Sequence, residues 1–207
     1  MRDFHTLAAR ISQLERDDAG RTAYGSWFHH YRLLPPLEER CLAEFERRNE
    51  VVLPKEYREF LLRVGSGGAG PGQGLWPLDL GKDRGELLTR PFPFEQFWCP
   101  VCCSETREQA RARTGAVSLT QGCIGLGSYG DCLTIHLVVS GAARGQIWVD
   151  ESDCELGIWP DGESCPCVFE SQEDYDAARA RKRRFTFFDW YENWLDSACK
   201  QLAEKKT

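Results

Sequence analysis

The sequence predicts an α+β domain in which a curved, mostly antiparallel sheet has helices packed on one side. Three observations predict this class. Apolar residues recur at helical spacing in the N-terminal third, alternate as in strands over residues 123–149, and return to helical spacing near the C-terminus. Helices and strands that segregate along the chain are typical of α+β folds. With 207 residues and 42% hydrophobic content, the chain can form one ample core, so we expect a single domain.

The N-terminal third carries three amphipathic helix patterns. Residues 4–14 place apolar side chains on one stripe, before the sequence DDAG interrupts the pattern. A second helix follows the turn at Pro35-Pro36 and ends near Asn49. The third helix begins at Pro54, a residue that suits the first helical turn, and Gly65 stands where a helix C-cap belongs.

Glycines after the third helix spell G-x-G-x-x-G at Gly65, Gly67 and Gly70. A dinucleotide-binding loop needs a strand before these glycines and a helix after them, so that the helix N-terminus faces the phosphates. Here a helix comes first, and Pro71 and the sequence LWPLDL follow. We therefore interpret the stretch as a helix stop and a connector, not as a phosphate-binding site.

The second half of the chain predicts the sheet and a closing helix. The segment CLTIHLVV alternates, and CIGLGSYGD and QIWVD flank it, which predicts two or three antiparallel strands. Residues 81–121 mix prolines, aromatics and charges, and Ser104 is the expected N-cap of one short helix there. From Phe187 to Ala198 a strong aromatic stripe predicts a helix that docks on the sheet.

Charge and hydropathy exclude several classes of partner. A net charge of -6 disfavours nucleic acid, because Lys and Arg supply most of the affinity for phosphates, and it favours a basic partner. Apolar runs are far shorter than the ~20 residues of a membrane span, and the N-terminus lacks the apolar core of a signal peptide. We therefore expect a cytoplasmic protein without a membrane partner.

The order of these landmarks resembles a known family. The helix pattern LPKEYREFLLRVG, a glycine stretch, LWPL, IGLGSYGDCLTIHL, GQIWVD and the aromatic helix follow one another as in the SUKH superfamily, which includes many bacterial immunity proteins. The resemblance covers roughly residues 37–198. It is most specific at Leu53-Pro54, at Gly67-Gly68 and in the turn from Gly127 to Asp131. It implies the same α+β fold, with LWPL as a strand.

Two segments lie outside the general pattern of the superfamily. They are an N-terminal helical extension of about residues 1–36 and a Cys-containing insertion of about residues 81–121. Where family members usually carry Asn-Gly-Gly after the first motif helix, this sequence reads Gly65-Ser66-Gly67-Gly68. We expect residues 1–207 to form one SUKH-like domain with these two additions.

The resemblance implies an immunity protein, an antitoxin that neutralises a cognate bacterial toxin by direct non-covalent contact. Such a protein is not an enzyme and needs no cofactor, because a charge-matched surface with a few desolvated anchors is sufficient. The alternative is a regulatory or protein-interaction adaptor of the same fold, with or without a structural zinc. The chemistry of the toxin stays open, since a fold alone does not fix function.

An acidic segment around Trp159 is the expected interface. An acidic loop with an exposed aromatic residue would cover a basic active-site surface of a toxin. The Gly65–Gly74 connector is a second candidate. The residues of the acidic segment are Asp150, Glu151, Asp153, Glu155, Trp159, Asp161 and Glu163.

Ten cysteines in a chain without a signal peptide are expected to be mostly reduced and buried. Two segments leave other possibilities open, because together they offer enough thiolates for a tetrahedral zinc site or for a disulfide between them. These cysteines are Cys99, Cys102 and Cys103 in the first segment and Cys165 and Cys167 in the second.

Other reactive residue types have simpler interpretations. His29 and His30 lie in an aromatic sequence that predicts packing, and adjacent helical residues point about 100° apart, which disfavours one metal ion. Cys132 and His136 lie four residues apart in a strand, too far for a nucleophile and its base. The basic run Arg179–Arg184 is interpreted as a solvated helix face or a linker.

Overall fold

The computed structural model describes residues 3–81, 86–154, 156–163, 171, 173 and 184–205. These residues form helices and one antiparallel sheet, so the predicted α+β class is confirmed. The described helices are α1 (Phe4–Asp17), α2 (Ser26–His29), α3 (Glu39–Arg48), α4 (Lys55–Arg63), α5 (Glu86–Thr89), α6 (Pro100–Cys103), α7 (Arg107–Thr114), a 3₁₀ turn (Ser152–Cys154) and α8 (Phe187–Glu204). The described strands are β1 (Cys123–Gly130), β2 (Leu133–Val138), β3 (Ile147–Glu151) and β4 (Gly157–Pro160).

The sheet is an antiparallel meander in the order β1-β2-β3-β4. Its register places Ile135 opposite Val149, and Val149 opposite Trp159. Strand β4 lies in the acidic segment that the sequence predicts to be a loop, so the sequence does not predict this strand. At its outer edge, Trp98 and Ile158 exchange two backbone hydrogen bonds of 2.7 Å each.

One face of the sheet packs against α1, α3, α4 and α8. The aromatic stripe of α8 supplies much of this core, where Phe60 of α4 lies 5.1 Å from Phe187 and 4.8 Å from Tyr191 between ring centroids. Phe4 of α1 contacts Phe188 edge-on at 4.9 Å. The N-terminal helix therefore shares the main core with the closing helix.

The opposite face of the sheet is covered by residues of the insertion. Trp148 of β3 is buried there against Phe92, with 4.8 Å between ring centroids, and Trp98 belongs to the same cluster. Helix α7 adds Ala110. Its N-cap is Thr106 in a capping box, not the predicted Ser104, which instead ends α6 in the left-handed conformation.

The glycine stretch brings backbones into close contact. Gly68 forms isolated bridges to Leu33 and to Leu75, and Leu75 bridges to Gly127 of β1. A Cβ atom on Gly68 would lie 2.2 Å from the carbonyl oxygen of Arg32, so only glycine fits. The predicted LWPL strand is reduced to the bridge at Leu75, and residues 75–81, the described residues that directly follow the glycines, contain no helix.

The cysteines differ from the sequence-based expectation. Cys132, after β1, forms a disulfide with Cys154 in the 3₁₀ turn. Of the other described cysteines, Cys99 and Cys123 are buried, but Cys199 and two others are exposed. Six of the eight described cysteines are free thiols, as expected, but only Cys99 and Cys123 are buried, so the expectation that most are buried is wrong for the described part of the chain.

We expect loss of this disulfide to destabilise the fold. It closes a loop with a sequence separation of 22 residues. The double variant Cys132→Ser/Cys154→Ser should lose about 3 kcal/mol of unfolding free energy, because the unfolded chain regains loop entropy. Urea unfolding under non-reducing conditions measures this loss. Cys199→Ser, which removes an exposed thiol, is the control, and equal stability of the double variant and the control would contradict the prediction.

Candidate functional site

Three adjacent aromatic side chains stand out on the surface around α2. Tyr24, Trp27 and Phe28 are 52%, 48% and 52% exposed. The ring centroids of Tyr24 and Trp27 lie 5.8 Å apart, and those of Trp27 and Phe28 lie 5.5 Å apart. We call these three residues the aromatic surface. Contiguous exposed apolar groups of this kind mark interaction sites more often than scattered ones do.

The aromatic surface is held by the segment that precedes it. The buried carboxylate of Asp18 accepts hydrogen bonds from the N–H of Thr22 at 2.7 Å, from the N–H of Ala23 at 3.1 Å and from the Tyr31 hydroxyl at 2.8 Å. Burial alone would raise the pKa of Asp18, but these hydrogen bonds lower it to about 2. An ionised Asp18 thus closes the loop between α1 and α2.

Behind the aromatic surface, His29 packs into the protein. Burial, followed by the charges of His30 and Arg21, lowers the pKa of His29 to about 4, so the ring is neutral at pH 7. Its Nδ1 accepts the N–H of Tyr31 at 3.0 Å, and its ring meets Trp194 of α8 edge-on at 5.6 Å. His29 therefore has the packing role that the sequence predicts, whereas the same prediction is wrong for His30, which is exposed.

A pocket of about 190 Å³ adjoins the aromatic surface at Tyr24. We call it the aromatic pocket. Its walls come from β1, the end of β4, the 71–72 loop and one side of α8. The described residues that line it are Tyr24, Pro71, Gly72, Tyr129, Asp161, Phe185, Trp190, Asn193, Trp194, Ser197, Ala198 and Gln201.

A hydrogen-bonded chain crosses the floor of the aromatic pocket. The indole N–H of Trp190 donates to the Tyr129 hydroxyl at 2.9 Å, and that hydroxyl donates to Oδ2 of Asp161 at 2.5 Å. Burial raises the pKa of Asp161, and the hydrogen bond from Tyr129 partly offsets this effect. Burial and the nearby Asp161 charge raise the pKa of Tyr129, which stays a neutral donor.

The residues of the predicted acidic segment do not lie together on one surface. Trp159, at 8% exposure, is buried against Val149, so the expectation of an exposed aromatic residue at this position is wrong. Asp161 lines the aromatic pocket. Glu163 forms an ion pair with Arg184 at 3.3 Å. Glu155 lies outside the described residues.

The remaining acidic residues lie near the end of β3. Asp150 accepts the N–H of Ser152 at 2.8 Å, and the exposed Asp153 pairs with Arg107 of α7 at 2.7 Å. Both line a polar cleft of about 420 Å³ that also contains Arg107, so the charges there are mixed. Partial burial and then repulsion from Asp131 raise the pKa of Glu151. Glu151 and Asp131 therefore form a negative pair for which the described residues supply no ion-pair partner.

The described residues do not form a cysteine–histidine nucleophile pair or a metal site. Cys132 is bonded to Cys154, and Nε2 of His136 lies 2.9 Å from the Thr134 hydroxyl, so Cys132 and His136 are not a nucleophile and its base. Within the described residues, no group of three or more His, Cys, Asp or Glu is arranged to hold a metal ion. Cys165, Cys167 and residues 179–183 lie outside that part of the chain.

These features define an α+β domain with an aromatic surface and an adjoining pocket. The profile of the SMI1 / KNR4 family (SUKH-1) matches residues 36–175, more than half of the sequence, and the chain belongs to this family. The predicted membership of the SUKH superfamily is thereby confirmed. No curated protein and no solved structure matches the chain. Across the described helices, none has the length and apolarity that a membrane crossing requires.

Sequence reasoning missed the aromatic surface. The stretch Trp27-Phe28 looks like a packing segment, yet both side chains face solvent while His29 and Tyr31 are buried. One signal was available: Gly25 precedes the aromatic pair, and it adopts a left-handed conformation with φ of 80°. A glycine at this point of a short aromatic stretch indicates a turn that divides exposed from buried positions.

We expect Asp18→Asn to destabilise this region by about 2 kcal/mol, because an amide cannot accept all four hydrogen bonds of the carboxylate. The folded-state pKa of about 2 lies below the ordinary value of 3.8. The stability that Asp18 contributes is therefore complete above about pH 4 and is lost as pH falls towards 2. Chemical unfolding of both proteins at several pH values measures the difference.

The matched control is Asp17→Asn, which removes the same charge from an exposed neighbour. Its stability should follow that of the wild type at every pH. A destabilisation by Asp18→Asn that stayed constant down to pH 2 would show that the carboxylate charge does not carry the effect.

Proposed function

We propose that this protein binds a cognate protein toxin and neutralises it by direct, non-covalent contact. Membership of the SMI1 / KNR4 family (SUKH-1) supports a role like that of immunity proteins. The observation that carries the proposal is the aromatic surface, where three large side chains are each about half exposed. A folded domain gains nothing from solvent-exposed tryptophan and phenylalanine, whereas a partner that covers them gains apolar burial.

The aromatic composition and the rigidity of the site are typical of a protein–protein interface. Aromatic side chains are enriched among the residues that supply most of the binding energy. The aromatic surface is preorganised, because Asp18 fixes the loop before it and Gly25 packs against the backbone of Gly72. Little conformational entropy remains to be lost on binding. Neutralisation of this kind needs no catalytic group, and we propose that the protein is not an enzyme.

Acidic residues form the second part of the proposed interface. Of the predicted set, Asp153 and Glu163 are paired with arginines of the same chain. Glu151 and its neighbour Asp131 instead repel each other, so a basic group of the partner would relieve this repulsion. We propose that Glu151 and Asp161 make the larger contributions, and that the toxin presents a basic surface to them.

Rescue from toxicity tests the proposed function. The toxin candidate is a polypeptide that co-purifies with this protein from its source cells and stops growth when expressed alone. Co-expression of this protein should restore growth, and the two purified chains should form a stable complex. A regulatory adaptor of the same fold would instead bind cellular proteins that are not toxic. Binding without rescue would therefore favour the adaptor and contradict the proposal.

Within this proposal, we expect Trp27→Ala and Phe28→Ala to weaken toxin binding by about 2 kcal/mol each, because desolvated aromatic anchors dominate interface energetics. Calorimetric titration with the toxin measures the loss. Leu87→Ala on α5 is the matched control, since Leu87 is 45% exposed but lies in the insertion. Equal affinities for the three variants would remove the aromatic surface from the interface.

Neutralising Glu151 tests the acidic part separately. We expect Glu151→Gln to weaken toxin binding about fivefold at low salt, with a smaller effect at high salt as screening increases. Asp153→Asn changes the net charge by the same amount but removes a carboxylate already paired with Arg107, so its effect should be smaller. If Asp153→Asn weakened binding more than Glu151→Gln, the proposal that Glu151 contributes more than Asp153 to toxin binding would be wrong.

A further inference from the structure

We propose that the aromatic pocket accepts the guanidinium group of an arginine side chain from the protein partner. This inference rests on the proposed function, because it names the group of the toxin that enters one site of the interface. The observations that carry it are the carboxylate of Asp161 in the pocket floor, the aromatic rings around it and the position of Tyr24 at the edge of the aromatic surface.

The charge of the aromatic pocket favours a cation. Asp161 is the only Asp, Glu, Lys, Arg or His side chain among the described residues that line it. Its Oδ2 accepts the Tyr129 hydroxyl, which is a neutral donor, so the negative charge has no cationic partner within these walls. A partly buried charge of this kind is costly until an opposite charge approaches. An anionic ligand would be repelled.

The aromatic rings favour a flat cation. Among the described residues, five aromatic side chains line the pocket: Tyr24, Tyr129, Phe185, Trp190 and Trp194. A guanidinium group stacks on aromatic faces, is more weakly hydrated than an ammonium group and forms planar hydrogen bonds to a carboxylate. Lysine offers a compact, strongly hydrated charge and fits this environment less well.

One side of α8 can supply further hydrogen-bond acceptors. Asn193, Ser197 and Gln201 follow one another at intervals of four residues, so they form a single row along the helix and all line the pocket. Amide and hydroxyl oxygens accept hydrogen bonds from guanidinium N–H groups. A guanidinium has five such donors, and Asp161 alone would leave several without an acceptor.

The location of the pocket indicates a side chain from a protein. Tyr24 lines the pocket and also belongs to the aromatic surface, so a partner that covers Trp27 and Phe28 lies next to the opening. The cavity of about 190 Å³ has room for the end of one long side chain. A buried anchor beside an aromatic patch is the usual arrangement of an interface hot spot.

A titration with a small probe tests the chemistry of the pocket without the toxin. N-acetyl-arginine methylamide should shift the indole N–H resonance of Trp190 in a saturable manner. The neutral citrulline analogue, which has the same shape, should not, and the lysine analogue should bind more weakly. Equal binding of the arginine and citrulline compounds, or no saturable shift with the arginine compound, would overturn the inference.

Variants of the pocket sharpen this test. Asp161→Asn should weaken binding of the arginine probe at least about tenfold, since it removes the charge while keeping an oxygen for the Tyr129 hydroxyl. Asp196→Asn on α8 removes an exposed carboxylate outside the pocket and should leave the affinity for the arginine probe unchanged. Should Asp161→Asn fail to fold, Ser197→Phe serves instead, because it narrows the pocket from an exposed position. Unchanged probe binding in the folded variant would overturn the inference.

The same variants, measured with the toxin, separate this inference from the proposed function. If wild-type protein and Asp161→Asn bind the toxin equally, the arginine site is wrong while toxin binding stands. If the wild type binds no toxin, the proposed function fails. Loss of toxin binding in Asp161→Asn, together with its recovery when one arginine of the toxin is replaced by glutamine, would support the inference directly.

Discussion

The docking of α8 is the interaction on which the rest of the structure depends. One side of this helix inserts Phe187 and Tyr191 between α4 and the sheet, and the buried Tyr191 hydroxyl donates to the carbonyl of Ala69 at 2.7 Å. The first turn is fixed as well, because Glu56 of α4 accepts the N–H of Phe188 at 2.9 Å. Because an α-helix turns by about 100° per residue, this docking leaves a second side of α8 to form a wall of the aromatic pocket.

Close backbone packing by glycines places the aromatic surface beside that wall. Gly25 and Gly72 come so near each other that a Cβ on Gly25 would lie 1.7 Å from the Gly72 carbonyl oxygen. Gly72 in turn lies against Ser128 of β1. Gly25 and Gly72 therefore serve as spacers of zero side-chain volume between three chain segments, and this arrangement sets the distance from the aromatic surface to the sheet.

The sequence predicts features that depend on local periodicity and misses those that depend on distant partners. Helix α8 and strand β2 have enough residues for a clear period, so both are predicted nearly as observed. Strand β4 has four residues within an acidic segment, and it is defined by its pairing with β3 and with Trp98, which are distant in sequence or not indicated by periodicity. The sequence does not predict the aromatic pocket for the same reason. Its residues Tyr129 and Asp161 are 32 positions apart in the sequence and come together only in the folded sheet.

The role of each carboxylate depends on its hydrogen-bond and ion-pair partners, and not on how many acidic residues lie near it in the sequence. Asp18 and Asp153 are both satisfied within the chain, the first by backbone N–H groups and the second by Arg107. Asp161 accepts a hydrogen bond from a neutral hydroxyl, and the described residues that line its pocket include no cation. A charge already paired gains little from a partner and must lose its own contact first. The electrostatic contribution to recognition therefore concentrates at the few carboxylates that folding leaves uncompensated, which composition alone does not identify.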